Sequence, residues 1–215
     1  MTGFELVDAH GERTPLVESV TVGRHIDNDV ILGGEDVRDF HFRLQVDTRW
    51  VRMIPLPGAV VEVNGVATDA EMTLLVDDRV TLGQETVRLH FTPADDERMD
   101  AWSLRGFADA PNHIVTDGVT VGRDPASDLV LADSHISRHH ARLFVVDDTL
   151  WVEDLKSANG TTVNGQRLLR GARLFHGDEL AFDRFAFQVV GQGADLTPIR
   201  CLLYTSDAAD ELLGV

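Results

Sequence analysis

Apolar and polar residues alternate in short runs along almost the whole chain. Val119–Val121, Ala141–Val145, Leu150–Glu153, Leu180–Phe182 and Phe185–Val189 carry this pattern most clearly; it is the period of strands that bury one face. Turn chemistry separates the runs. Asn64-Gly65 and Asn164-Gly165 are type I′ hairpin signals, because both central positions of that turn need φ > 0. Asp47-Thr48 and Asp147-Asp148 mark a further pair of hairpins. No helical period persists over three turns between Gly3 and Val190. The pattern predicts an all-β chain of many short strands, arranged as antiparallel sheets packed face to face.

The pattern also repeats. Val20–Leu32 aligns without gaps on Val119–Leu131 at an offset of 99 residues, with seven of the thirteen positions identical. The same offset carries His41 onto His140, Arg43 onto Arg142 and Leu44 onto Leu143. Allowing slightly different hairpin lengths, Trp50-Val51 falls on Trp151-Val152, Val63-Asn64-Gly65 on Val163-Asn164-Gly165 and Asp78 on Asp178. The expected organisation is therefore two tandem sandwiches, 1–92 and 101–191, joined by an acidic linker at 93–100. The tail at 192–215 does not continue the pattern. Within it, Cys201–Glu211 resembles translated read-through of a sequencing-library adapter, so a non-native or truncated tail is expected.

Composition narrows the function classes. Asp and Glu outnumber Lys and Arg by 36 to 19, a formal net charge of −17. Nucleic-acid binders need a basic face to displace counterions, so no nucleic acid is expected as a partner. Any anion site must be a local cluster of donors working against the overall field. The single cysteine, Cys201, excludes an internal disulfide framework and fits a reducing compartment. No 18-residue apolar run and no basic leader start are present, which makes a cytoplasmic chain without a membrane segment the expectation.

Donors of the kind a phosphate needs cluster in the second repeat. Arg123 follows Gly122 at the end of a strand; Ser137 and Arg138 stand in the next loop, and Asn159-Gly160-Thr161 in a third. A phosphorylated side chain carries about −1.5 to −2 charge and three acceptor oxygens. It is held best by an Arg fork with neutral donors closing the remaining directions. Other chemistries fit poorly. His135 and His139 have i, i+4 spacing, but the flanking segments read as strands and no cysteine supports a metal site. Ser137, His140 and Asp154 lack a nucleophile elbow, and no Walker run exists. Neither an enzyme activity nor a cofactor is expected.

Gly122-Arg123, Ser137-x-x-His140 and Asn159-Gly160-Thr161 followed by Asn164 closely resemble the signature of the forkhead-associated (FHA) domain family. The resemblance covers the whole second repeat. It implies an eleven-stranded β-sandwich whose loops at one end bind phosphothreonine peptides, and hence a signalling adaptor downstream of a Ser/Thr kinase. Carried over position by position, Arg123 and Ser137 would hold the phosphate, Arg138 would add a contact and Asn159 would bond the peptide backbone. Gly122, His140, Gly160, Thr161 and Asn164 would support the site. One departure is Ala158, where the family often has a hydroxyl residue. The partner implied is a phosphothreonine-containing protein, a Ser/Thr kinase or its substrate.

The first repeat keeps Gly23, Arg24 and His41 but has Arg38 for Ser137, Asp39 for Arg138 and Ala59-Val60-Val61 for Asn159-Gly160-Thr161. A carboxylate beside a phosphate repels it. The expectation is a folded, degenerate copy blind to phosphate, which supports the second repeat or docks a protein. The competing reading of the whole chain is a phosphorylation-independent scaffold or assembly module, a fragment of a larger protein.

Overall fold

The computed structural model describes residues 3–93, 101–108 and 110–192. All regular structure there is β. The first half contains β1 (Gly3–Val7), β2 (Arg13–Pro15), β3 (Ser19–Gly23), β4 (Val30–Ile31), β5 (Phe42–Val46), β6 (Val51–Pro55), β7 (Val61–Val63), β8 (Val66–Thr68), β9 (Met72–Leu74), β10 (Arg79–Leu82) and β11 (Glu85–Thr92). They form a six-stranded sheet, β2-β1-β11-β10-β7-β8, and a five-stranded sheet, β4-β3-β5-β6-β9. The second half contains β12 (Ala101–Gly106), β13 (His113–Val115), β14 (Val119–Gly122), β15 (Leu129–Val130), β16 (Ala141–Val146), β17 (Thr149–Asp154), β18 (Thr161–Val163), β19 (Gln166–Arg167), β20 (Gly171–Leu174), β21 (Glu179–Phe182) and β22 (Phe185–Gln192). Its sheets, β13-β12-β22-β21-β18-β19 and β15-β14-β16-β17-β20, repeat the first half strand for strand.

The alternating runs place their apolar faces between the sheets. Val121, Leu143, Val152, Leu180, Phe182, Phe187 and Val189 fill the second core, and Val22, Leu44, Met53, Val80, Leu89 and Phe42 fill the first. The Asn-Gly turns have the positive φ that the sequence demands, 51° and 83° at Asn64-Gly65 and 50° and 77° at Asn164-Gly165. One pairing departs from antiparallel in each half. The short β4 and β15 run parallel to β3 and β14, with Val22 opposite Val30 and Val121 opposite Leu129.

Strand register corrects the sequence alignment at the tryptophans. Gln45 faces Arg52 across β5 and β6, as Phe144 faces Trp151 across β16 and β17. Trp151 therefore occupies the place of Arg52, and Trp50 that of Thr149. The hairpins are equal in length, and two unrelated tryptophans near the same turn produced the apparent match. The extra residue lies later: three residues separate Leu56 from Val60, but four separate Leu155 from Gly160.

The misplaced tryptophan marks a contact between the halves. Trp151 points away from its own core and is 1% exposed. It meets Phe4 and Phe91 edge-on, with ring centroids 6.1 and 5.9 Å away, so it closes the end of the first core. Two Arg–Asp forks cross beside it. Arg49 bonds both carboxylate oxygens of Asp178, and Arg170 bonds both of Asp78. The two aspartates are repeat counterparts, each also holding its own turn through Asn64 and Leu75 N–H, or Asn164 and Phe175 N–H. Arg173 N–H on the edge strand β20 donates to the Arg49 carbonyl at 2.9 Å. Gly171 makes the close approach possible: a Cβ there would stand 2.4 Å from Val152 O and 2.7 Å from Leu75 Cδ2.

Candidate functional site

The site is assembled from backbone outward. β14 ends at Gly122, where a Cβ would stand 2.0 Å from Arg138 O, so no other residue lets the next loop come this close. That loop is pinned by Arg123 N–H to Ser137 O at 3.0 Å and Asp124 N–H to Arg138 O at 3.3 Å. The same approach occurs at Gly23, whose Cβ would meet Asp39 O at 2.3 Å. This part of the architecture is common to both halves.

His140 joins this loop to the one after β17. It is fully buried, and its Nδ1 accepts the Ser137 N–H at 3.3 Å. The proton must then sit on Nε2, which donates to Gly160 O at 3.2 Å. Burial holds the imidazole below its ordinary pKa, with the Gly160 bond and the nearby carboxylates of Asp154 and Asp183 opposing it. His41 repeats the brace, taking Arg38 N–H at 3.2 Å and reaching Val60 O at 2.9 Å.

On this frame the ligand-type side chains are presented. Arg123 and Arg138 are exposed, and among the described residues neither guanidinium has a hydrogen bond or ion pair. Ser137 is half-buried between the loops, where its Oγ accepts Ala158 N–H at 3.0 Å. Its hydroxyl proton is left to donate. Asn159 is exposed; its Nδ2 donates to His135 O at 2.9 Å and reaches Asp183 Oδ2 at 3.5 Å, while its Oδ1 accepts no hydrogen bond among the described residues.

Sequence reading missed the residue that orders this third loop. Asp154, at the end of β17, accepts Ser157 N–H at 2.9 Å, Ser157 Oγ–H at 2.6 Å and Thr161 Oγ–H at 2.8 Å. Ser157 Oγ in turn accepts Gly160 N–H at 2.9 Å. Ser157 is thus turned inward, away from the exposed donors. The signal was present: Pro55 stands at the register position of Asp154 in the first half. Asn164 is not brought to the other residues. It lies at the far end of β18, bonding Asp178 and the Glu179 N–H, and serves the opposite end of the sandwich.

The equivalent end of the first half is closed on itself. Arg24 Nε and Nη2 both donate to Asp39 Oδ1, at 3.2 and 2.8 Å. The Arg24 hydrogen bond, then its charge, holds the Asp39 carboxyl below its ordinary range. Arg38 donates to Pro57 O at 2.9 Å. Ile26, Phe40 and Val60 are exposed around these pairs. Arg24 is thus already paired with a carboxylate, and Arg38 is tied to the neighbouring loop.

The FHA domain family matches residues 119–183, which span all three loops. That segment is similar to FHA domains. The chain is 40% identical over 67 residues to an oxoglutarate dehydrogenase inhibitor of Corynebacterium glutamicum. That match covers 31% of this chain and 46% of the relative, so the chain spans less than half of the curated protein it resembles. Among solved structures, the FHA domain of CT664 from Chlamydia trachomatis is 29% identical with a TM-score of 0.42, covering 44% of this chain and all of that one. Mycobacterium tuberculosis EmbR, solved with a low-affinity phosphopeptide, is 24% identical with a TM-score of 0.43, covering 46% of this chain and 28% of that one. FHA domains are interaction modules rather than catalysts, and no helix among the described residues is long and apolar enough to cross a membrane.

Proposed function

We propose that the FHA domain at 101–191 docks phosphothreonine-containing proteins marked by a Ser/Thr kinase, and that the chain acts as a signalling adaptor. Arg123 and Ser137 hold the phosphate, Arg138 adds a second charge-assisted contact and Asn159 bonds the peptide backbone. The observation that carries this reading is the contrast between the halves. The guanidinia of Arg123 and Arg138 have no hydrogen bond or ion pair among the described residues, and Ser137 between their loops keeps a hydroxyl proton to donate, whereas Arg24 is paired with Asp39 and Arg38 bonds Pro57 O. A phosphate offers the acceptors that two unpaired guanidinia lack. An affinity of order micromolar, about −8 kcal/mol, suits one anchored phosphate on an open surface.

On this reading the first half is phosphate-blind and serves as a fixed support through its contact with the second. Titration of a phosphothreonine peptide against Arg123→Ala and Arg24→Ala tests the division of labour. Arg123→Ala should lose at least about tenfold in affinity, the worth of one charge-assisted pair, and Arg24→Ala should match the wild type. Equal losses would remove the asymmetry, and binding unchanged by phosphatase treatment would favour the scaffold reading instead.

A further inference from the structure

One more cation lies against the site loops. Arg167, at the end of β19, folds back over Gly160: a Cβ built on Gly160 would stand 2.5 Å from Arg167 Nε, 2.7 Å from Cζ and 2.8 Å from Nη2. Gly160 is buried beneath it with φ at +84°, so a side chain there has neither the space nor the backbone conformation it needs. Arg167 itself is exposed, and among the described residues its side chain has no hydrogen bond or ion pair. Packing on the loop backbone restricts the guanidinium without satisfying any of its donors. That leaves a pre-positioned charge, at less entropic cost than a free lysine would carry.

The first half supplies an independent comparison. Thr162 faces Arg167 across the β18–β19 hairpin, as Glu62 faces Ala67 across β7–β8. Ala67 is therefore the counterpart of Arg167. Residues that build the frame recur in both halves: Gly23 and Gly122, His41 and His140, Asn64 and Asn164. Residues assigned to the ligand do not, since Ser137, Arg138 and Asn159 are replaced. Arg167 is lost with that second group. Its position also separates it from the phosphate contacts. Along the loop come Ala158, whose N–H meets Ser137 Oγ; then Asn159, assigned above to the peptide backbone; then Gly160 under Arg167.

We propose that Arg167 is a specificity-determining residue of this site, selecting peptides that carry an acidic side chain beside the phosphothreonine. The inference rests on the phosphopeptide reading above and deepens it. A chain with a net charge of −17 repels acidic segments at large, so a local cation is what would admit one.

The test compares phosphothreonine peptides that differ by a single Glu-for-Gln exchange at each neighbouring position. They are titrated against the full chain as wild type, Arg167→Ala, Arg167→Lys, Arg123→Ala and, as a control distant from the site, Arg79→Ala. The wild type should prefer one Glu peptide by about two- to fivefold, the range of an exposed ion pair. Arg167→Ala should erase that preference while binding the Gln peptide as the wild type does. Arg167→Lys should keep part of the preference, and Arg79→Ala all of it. Equal weakening of Glu and Gln peptides by Arg167→Ala would make Arg167 a lid on Gly160 and overturn the inference. So would a preference that survives Arg167→Ala, or none in the wild type. Binding indifferent to Arg123→Ala would sink the phosphopeptide reading itself, and this inference with it.

Discussion

His140 performs its role as a neutral ring. Only with Nδ1 unprotonated can it accept the Ser137 N–H, and only with the proton on Nε2 can it donate to Gly160 O. Burial keeps its folded pKa below the ordinary value, while the unfolded chain takes up a proton at about pH 6.5. Protons then favour the unfolded state, so this contribution to stability is complete above about pH 6.5 and declines as the pH falls through that value. Denaturant melts at pH 7.5 and 5.5 should therefore show the wild type losing more stability on acidification than His140→Asn. The variant should already be weaker by about 1–3 kcal/mol at the higher pH, having left a buried N–H or C=O unpaired. The close approach at Gly122 and the His140 brace were legible in the sequence, because a Gly-Arg and a Ser-x-x-His are local patterns. Ala158 shows the limit. Its side chain lacks the family's hydroxyl, yet its N–H reaches Ser137 Oγ, a contribution that no side-chain comparison could register.

At the scale of elements, the loop from Asp154 to Thr161 is a small hydrogen-bonded unit hung from the end of β17. Asp154 is its anchor, and Arg170 O accepts Asp154 N–H at 2.6 Å from the neighbouring segment. Asp154→Ala should release the Ser157 and Thr161 hydroxyls together. We expect a loss of about 2–4 kcal/mol for removing charged acceptors of several bonds, read as a lower melting temperature. Phosphopeptide affinity should fall with it, because Asn159 and the Ala158 N–H lose their fixed positions. A matched fall in melting temperature with unchanged affinity would mean that the loop holds its shape without the anchor. The strands were legible because a two-residue period and type I′ turns are short-range signals. The anchor was not, since an aspartate at the end of a strand looks like any solvated turn residue. The comparison Pro55 against Asp154 exposes it only once strand register fixes which positions correspond.

The whole molecule is held by two crossed forks around a tryptophan. Both acidic partners are 5% exposed. For Asp178, burial acts to raise the pKa and is the largest single influence. Arg49, the Phe175 N–H and Asn164 together outweigh it, and the carboxyl lies below its ordinary value. The stabilisation from this group is present above the unfolded aspartate value of about 3.9 and is lost as the pH falls through the lower folded value. At neutral pH the two halves should melt in one calorimetric transition. Arg49→Ala combined with Arg170→Ala removes about 1.5–3 kcal/mol per fork and should split that transition in two; a single peak in the double variant would mean that the Trp151 contact and the Arg173 N–H bond to Arg49 O suffice to couple them. None of this was legible in the sequence. Nothing in the pattern pairs Arg49 or Arg170 with an aspartate of the other repeat, and aligning Trp50 with Trp151 gave no sign that Trp151 packs on the core of the other half. Trp151 also bears on how the protein can be handled. Cutting at the acidic stretch 94–100, the natural place by composition, would bare Trp151 and free the β20 edge that Arg49 O now covers. An exposed aromatic beside an unpaired strand edge invites self-association, so the isolated second half would be a poorer specimen than the pair, and its aggregation would be a product of the cut.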